Sequence, residues 1–248
     1  MSVTLDQIWR HPIKGIGAER ISGAFMAPDC ALPLDRAYAV IEAGADPLQG
    51  QWQPCRNFLR GAKAPQLMAI TACCLDNGTI RLSHPDLPDH IFDPNGDHSD
   101  LIAWLGAIYP PERPAPKAVV AAPKSGMTDA NFASISILNL ASLRALEARA
   151  DMPLDPRRFR GNLWLEGLAP WEELDLIGAT LVIGEARLKI VEPITRCRAT
   201  EANPDTGVRD VPTLQILQSG WDHSEFGVYA ETTQAGHIAQ GDKVEIIW

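Results

Sequence analysis

The chain has 248 residues, 46% hydrophobic and 21% charged, a globular composition with apolar material for one large core or two small ones. A formal net charge of -9 sets its surface against nucleic acid and anionic membranes, and no apolar run reaches the length of a membrane span. Met1 to Arg10 carries Asp6 and lacks the apolar stretch of a secretory signal, so a cytoplasmic protein is expected.

Along the first ninety residues, strand-like runs alternate with Gly, Pro and Asp: Val3 to Arg10, Arg36 to Glu42, Gln66 to Cys74 and Thr79 to Ser83. Asn77-Gly78 between the last two is a hairpin signal. The stretch from His84 to His98, rich in Asp and Pro, reads as a solvated loop. Leu101, Ile102, Trp104, Leu105 and Ile108 predict a short helix over Ser99 to Tyr109, capped by Ser99 or Asp100. The stiff run Tyr109-Pro-Pro-Glu-Arg-Pro-Ala-Pro then suggests a break between two closely packed domains, residues 1–115 and 116–248.

In the second half, Leu140, Leu143, Leu146 and Ala150 share one face of a helix over Asn139 to Ala150. Strands are expected at Asn162 to Leu165, Thr180 to Ile183, Arg187 to Val191, Phe226 to Glu231 and Lys243 to Ile247. Val211 to Gln218 reads as a short helix with Pro212 in its first turn, and Trp171, Trp221 and Trp248 as packing residues. The expected fold is mostly β with a few helices (α+β), an N-terminal β-barrel-like domain packed on a second β-barrel domain.

Five cysteines (Cys30, Cys55, Cys73, Cys74 and Cys197) match no zinc or disulfide framework, and six scattered histidines form no ligand pair. Four of the cysteines read as structural. Cys197 differs, because Arg196 and Arg198 flank it and would favour the thiolate, a soft ligand and a nucleophile. A buried, inert cysteine beside solvent-facing arginines is the plainer alternative. A second cluster, Asp155-Pro-Arg-Arg-Phe-Arg-Gly-Asn, sets Arg157, Arg158 and Arg160 close together. In an extended segment Arg158, Arg160 and Asn162 would share a face, and guanidinium forks suit phosphate. A solvated charge run is the alternative for any one of them. Near the start, Lys14 precedes Gly15 and Gly17, whose backbone N–H groups can approach a phosphate; Arg36, Arg56 and Arg60 add cations.

Together these segments resemble the MOSC family, in the arrangement of an N-terminal MOSC-associated β-barrel domain followed by a MOSC domain. Mitochondrial amidoxime-reducing components and bacterial hydroxylaminopurine-resistance reductases are similar. The resemblance rests on His11-Pro-Ile-Lys14, Leu34-Asp-Arg36, Arg158-Phe-Arg-Gly-Asn162, Arg196-Cys197 with Asn203-Pro-Asp-Thr-Gly207, and Gly241-Asp242. It implies a molybdenum-cofactor-dependent oxidoreductase in which Cys197 ligates molybdenum. Lys14, Gly15, Arg36, Arg158, Arg160 and Asn162 would hold the phosphate and pterin of molybdopterin, and Arg196 would orient cofactor or substrate. The substrate would be a small N-hydroxylated compound. Gly15 stands where the reductases usually have serine, so one phosphate hydrogen bond would come from backbone or be absent. Cys197 is the last cysteine, so no cysteine-rich ferredoxin extension is expected, and electrons would come from a separate donor, ferredoxin or cytochrome b5-like. The family also carries a pyridoxal-phosphate label, although no pyridoxal lysine stands out. Three alternatives stay open: a sulfur carrier using a Cys197 persulfide, a non-catalytic cofactor carrier, and a β domain for another phosphorylated ligand.

Overall fold

In β1 (Thr4–Arg10) the fully buried residues are Leu5 and Ile8, three apart, and a register shift between Leu5 and Gln7 reconciles that spacing with the two-residue period of a strand. The computed structural model describes residues 2–46 and 48–248, and strands dominate it. β2 (Glu19–Ile21), β3 (Gly23–Met26) and β4 (Tyr38–Glu42) follow. β5 (Thr71–Cys74), β6 (Ile80–His84) and β7 (Leu87–Phe92) make a three-stranded antiparallel sheet whose first turn holds Gly78 at φ +85°. β7 occupies the stretch expected to be a loop. Phe92 is its one fully buried residue, so hydrophobic alternation could not announce the strand. α1 (Ser99–Gly106) buries Leu101 and Leu105, with His98 rather than Ser99 or Asp100 at the N-cap.

β8 (Pro116–Ala121) begins on the last proline of the run yet pairs with β4, while β1 pairs with a strand of the second half, so the two halves exchange strands around residue 115. β9 (Ile135–Asn139) is buried along its whole length and runs straight into α2 (Leu140–Ala150). Asn139 caps that helix, its Oδ1 accepting from the Ala141 N–H at 2.9 Å. A continuous buried run abutting a helix carries no alternation, which is why the sequence did not mark β9. β10 (Leu163–Glu166), α3 (Glu172–Asp175), β11 (Thr180–Ile183), β12 (Ala186–Thr195), α4 (Thr213–Trp221), β13 (Glu225–Gln234), β14 (Gly236–Ala239) and β15 (Val244–Ile247) complete the order.

Eight strands form one sheet, β15-β11-β12-β13-β9-β10-β1-β2. Only β9 and β10 in it are parallel, and α2 lies in the crossover that joins them. The sheet is not a closed barrel; an isolated bridge between Thr4 and Lys243 draws β15 towards β1 without closing it. Its core includes Leu5, Ile8, Ile137, Leu163, Leu181 and Leu188. A separate core beneath the first half holds Ile13, Ile16, Leu59, Leu67 and Leu82. Trp248 is 80% exposed and is no packing residue. Among the described residues no helix is long and apolar enough to cross a membrane.

Candidate functional site

A cavity of about 310 Å³ opens between segments of both halves of the chain. Six cationic side chains line it (Lys14, Arg36, Arg60, Arg158, Arg160 and Arg196) against one acid, Asp129, and both Cys55 and Cys197 are on its wall. Asp35 and Asp210 pair with Arg36 and Arg158 from behind the wall, so three acids answer six cations and the cavity keeps a positive balance in a chain of net charge -9, which favours an anion.

The first cation is held by main chain on either side. Lys14 N–H donates to Tyr38 O at 2.8 Å, and the buried ammonium donates to Met127 O at 2.9 Å and to Asp129. His11, fully enclosed, anchors the same loop: its N–H and Nδ1 meet Asp35 Oδ1 at 2.7 and 3.2 Å. Burial, helped by the Arg160 and Arg36 charges, pushes the His11 imidazole down to about 3, so it stays neutral and Nδ1–H donates to the carboxylate. Burial alone would raise Asp35, but the Arg36 guanidinium and the His11 donors outweigh it and hold the carboxyl well below its usual range. Arg36 binds the other Asp35 oxygen and reaches Arg160 O at 3.0 Å.

Arg160 departs from the extended segment expected around it. Pro156–Phe159 is a single 3-10 turn that ends on Arg160 in the left-handed region at φ +47°. Asp155 caps that turn through the Arg157 N–H at 2.8 Å, with Pro156 fitting its first position. The turn sends neighbouring arginines to different places. Arg160 crosses to the first half, donating to Gly17 O at 3.0 Å and Ile13 O at 3.3 Å. Burial, then the Arg36 charge, pushes it down to about 9, against the opposing charges of Asp35 and Asp129. Arg158, 2% exposed, instead clamps Asp210 with two contacts of 2.7 and 2.8 Å and touches Glu201 O, fixing the loop that follows Cys197.

Asn162 lies outside the cavity wall. Its Oδ1 accepts from Ser136 N–H at 3.1 Å and Ser136 Oγ at 2.7 Å, and its Nδ2 donates to Trp9 O at 3.1 Å. These three bonds of the amide expected on a cofactor tie β9, β10 and β1 together. Arg196 is likewise engaged: it donates to Phe226 O and, at 2.9 Å, to Phe159 O, over the rings of both phenylalanines. Burial pushes it down to about 10. Arg198 turns outward to Glu201 at 2.9 Å. Of the five cysteines, all free, Cys197 is the exposed one, and it follows the end of β12.

The cavity thus gathers Lys14, Gly15, Arg36, Arg158, Arg160, Arg196 and Cys197 and leaves Asn162 behind its wall. It adds Asp129 and Tyr229, to which the sequence assigned no role, Cys55, read there as structural, and Arg60, noted there only as a further cation. Burial pushes the Tyr229 phenol up to about 12, with Asp129 adding to the effect. A lone acid 115 residues from its lysine partner carries no local signal. Among the described residues no group of His, Cys, Asp and Glu could hold a metal ion by itself.

Two domain models match the chain: the MOSC N-terminal beta barrel domain over residues 2–101 and the MOSC domain over residues 125–245. Mitochondrial amidoxime-reducing component 1 of Homo sapiens is 32% identical over 155 residues, 55% of this chain and 44% of that protein. Molybdenum cofactor sulfurase of Drosophila willistoni is 31% identical over 129 residues, 47% of this chain and 16% of the relative. The chain therefore spans less than half the length of these curated relatives. The YUAD protein from Bacillus subtilis aligns over 99% of this chain and 96% of its own, at 11% identity and a TM-score of 0.47. YiiM from Geobacillus stearothermophilus covers 46% of this chain and 54% of its own, at 23% identity and a TM-score of 0.36. With a MOSC N-terminal beta barrel domain ahead of a MOSC domain, the chain belongs to the MOSC family.

Proposed function

We propose that the chain is a molybdenum-cofactor-binding oxidoreductase that reduces small N-hydroxylated compounds with electrons from a separate donor protein. The observation that carries this reading is that the exposed thiol of Cys197 lies on the wall of the same cavity as six cationic side chains. The donor set fits the group: one soft sulfur for molybdenum, and guanidinium and ammonium groups for a phosphorylated pterin. Lys14, Arg36 and Arg160 would hold the anionic end, with backbone N–H groups near Gly15, and Cys197 Sγ the metal. Arg158 and Arg196 act at one remove, since their hydrogen bonds to Asp210 and to the Phe159 and Phe226 carbonyls shape the wall. The bound cofactor would supply the two-electron reducing chemistry.

The chain's own residues order the rest. Asp129, beside Lys14 at the wall, provides an acceptor for the polar part of a substrate. Tyr229 keeps its phenolic proton at neutral pH and can donate a hydrogen bond from Oη. The Arg158–Asp210 pair holds the loop after Cys197, so the sulfur stays facing the cavity. The test is elemental analysis and turnover of protein made in a cofactor-competent host. Wild type should carry molybdenum and reduce an amidoxime when given reductant, and Cys197→Ala should do neither while remaining folded. Full activity in that variant removes the sulfur from the mechanism.

A second reading, a sulfur carrier with a Cys197 persulfide, is favoured by the exposure of that thiol and by the sulfurases among the relatives. A sulfur atom added to Cys197 in intact-mass spectra, with no molybdenum in the protein, would select it. A non-catalytic carrier would hold the cofactor and show no turnover with any donor.

A further inference from the structure

Five of the six cations on the cavity wall have oxygen acceptors: Lys14 on Met127 and Asp129, Arg36 on Asp35 and Arg160, Arg158 on Asp210, Arg160 on Gly17 and Ile13, and Arg196 on Phe159 and Phe226. Arg60 has none among the described residues. Its one partner is Cys55 Sγ at 3.7 Å, a weak acceptor, and its Nε is shielded from solvent with nothing to bind. A guanidinium on a cavity wall with no oxygen acceptor among the described residues has Nη donors left for an anion.

Its backbone is fixed beforehand. Phe58 and Leu59 are fully buried, Leu59 N–H donates to Val40 O at 3.0 Å, and Arg60 O accepts from Lys63 and Ala64 N–H, each at 2.9 Å. The same stretch presses on Gly15. A Cβ at Gly15 would stand 2.7 Å from Leu59 O and 3.4 Å from Arg60 Cα, and its φ is +72°. No side chain fits at position 15, and the chain segment that excludes one is the segment that brings Arg60 to the wall.

We infer that Arg60 is an oxyanion-binding residue of the cavity, supplied by the first half of the chain beside the bare backbone of Gly15. Its planar fork takes a phosphate or carboxylate through two parallel N–H donors. The anion is either the phosphate of a bound cofactor or an acidic group on a substrate. Binding itself stands on the geometry above, and assigning its source rests on the proposed function.

The test begins with calorimetric titration of the purified full chain with inorganic phosphate. Arg60→Gln should weaken phosphate by about tenfold or more, and Arg60→Lys, which keeps the charge but not the fork, by less. Melting curves of both variants without phosphate should overlay the wild type, which separates lost binding from lost fold. Equal phosphate affinity in wild type and Arg60→Gln overturns the inference, as does no measurable phosphate binding by the wild type. The source is read from protein made in a cofactor-competent host. Lower molybdenum and pterin content in Arg60→Gln identifies the cofactor phosphate. Unchanged content, with KM raised for a carboxylate-bearing N-hydroxylated substrate but not for a neutral one, identifies the substrate. Neither change, despite weakened phosphate binding, overturns a ligand role for Arg60. Absence of metal from the wild type counts against the proposed function and leaves the phosphate comparison intact.

Discussion

Asn162→Ala separates a binding role for that residue from a structural one. The side-chain amide makes three hydrogen bonds, to Ser136 N, Ser136 Oγ and Trp9 O, at 1% exposure. Alanine keeps the main-chain Asn162 N–H bond to Ser136 Oγ, but removes the acceptor of the Ser136 hydroxyl, which is free to rotate, and leaves two fixed main-chain groups, the Ser136 N–H and one bonding position of Trp9 O, without partners. A buried polar group left unpaired costs about 1–3 kcal/mol, so two give about 2–4 kcal/mol after partial repair by water. In a chain of this size each kcal/mol moves the melting temperature by roughly 2–4 °C, so a fall of about 5–15 °C is expected. Thermal melts followed by circular dichroism, with urea unfolding as a second measure, read the loss. Phosphate titration of the folded variant should match the wild type. A variant that melts with the wild type but has lost phosphate or molybdenum binding would refute the argument and return Asn162 to the ligand.

Cys197→Ala should unfold within about 0.5 kcal/mol of wild type in urea, because the side chain is exposed and packs into no core, while its molybdenum content falls to background. Gly15→Ser should lower stability by about 1–3 kcal/mol in the same assay, since the new Cβ would meet Leu59 O in a left-handed backbone; a neutral outcome would mean the Leu59–Arg60 segment yields easily. Stability should also fall as the pH drops from 6.5 towards 3. The unfolded chain takes up a proton at His11 near 6.5, whereas the folded protein resists until about 3, so unfolding binds the proton. That single group contributes at most about 1.4 kcal/mol per pH unit across the window. Urea midpoints measured from pH 7 to pH 4 should therefore decline less steeply for His11→Asn than for wild type, and parallel curves would show that His11 is not the group responsible.

Much of the architecture and several residues of the cavity wall were legible in the residue order. Period-two alternation, Asn77-Gly78, Asn139 at the head of α2 and the face of Leu140, Leu143 and Leu146 are local features, settled by neighbours within a turn or a strand. So were Cys197 and the arginine-rich segment, conspicuous because they gather positive charge in an acidic chain. Which way each arginine points was not legible. One left-handed residue at the end of Pro156–Phe159 sends Arg160 to the first half and leaves Arg158 on Asp210, and no periodicity encodes that turn of the backbone. Asn162, expected at the ligand, bonds Ser136 and Trp9, which come from two other strands that only the folded sheet places beside it. Asp129 reached Lys14, and Arg60 reached the cavity, through packing between segments far apart in the chain. Local propensity acts over a few residues, whereas the charge balance of a cavity depends on which distant segments share its walls, and only the tertiary structure decides that.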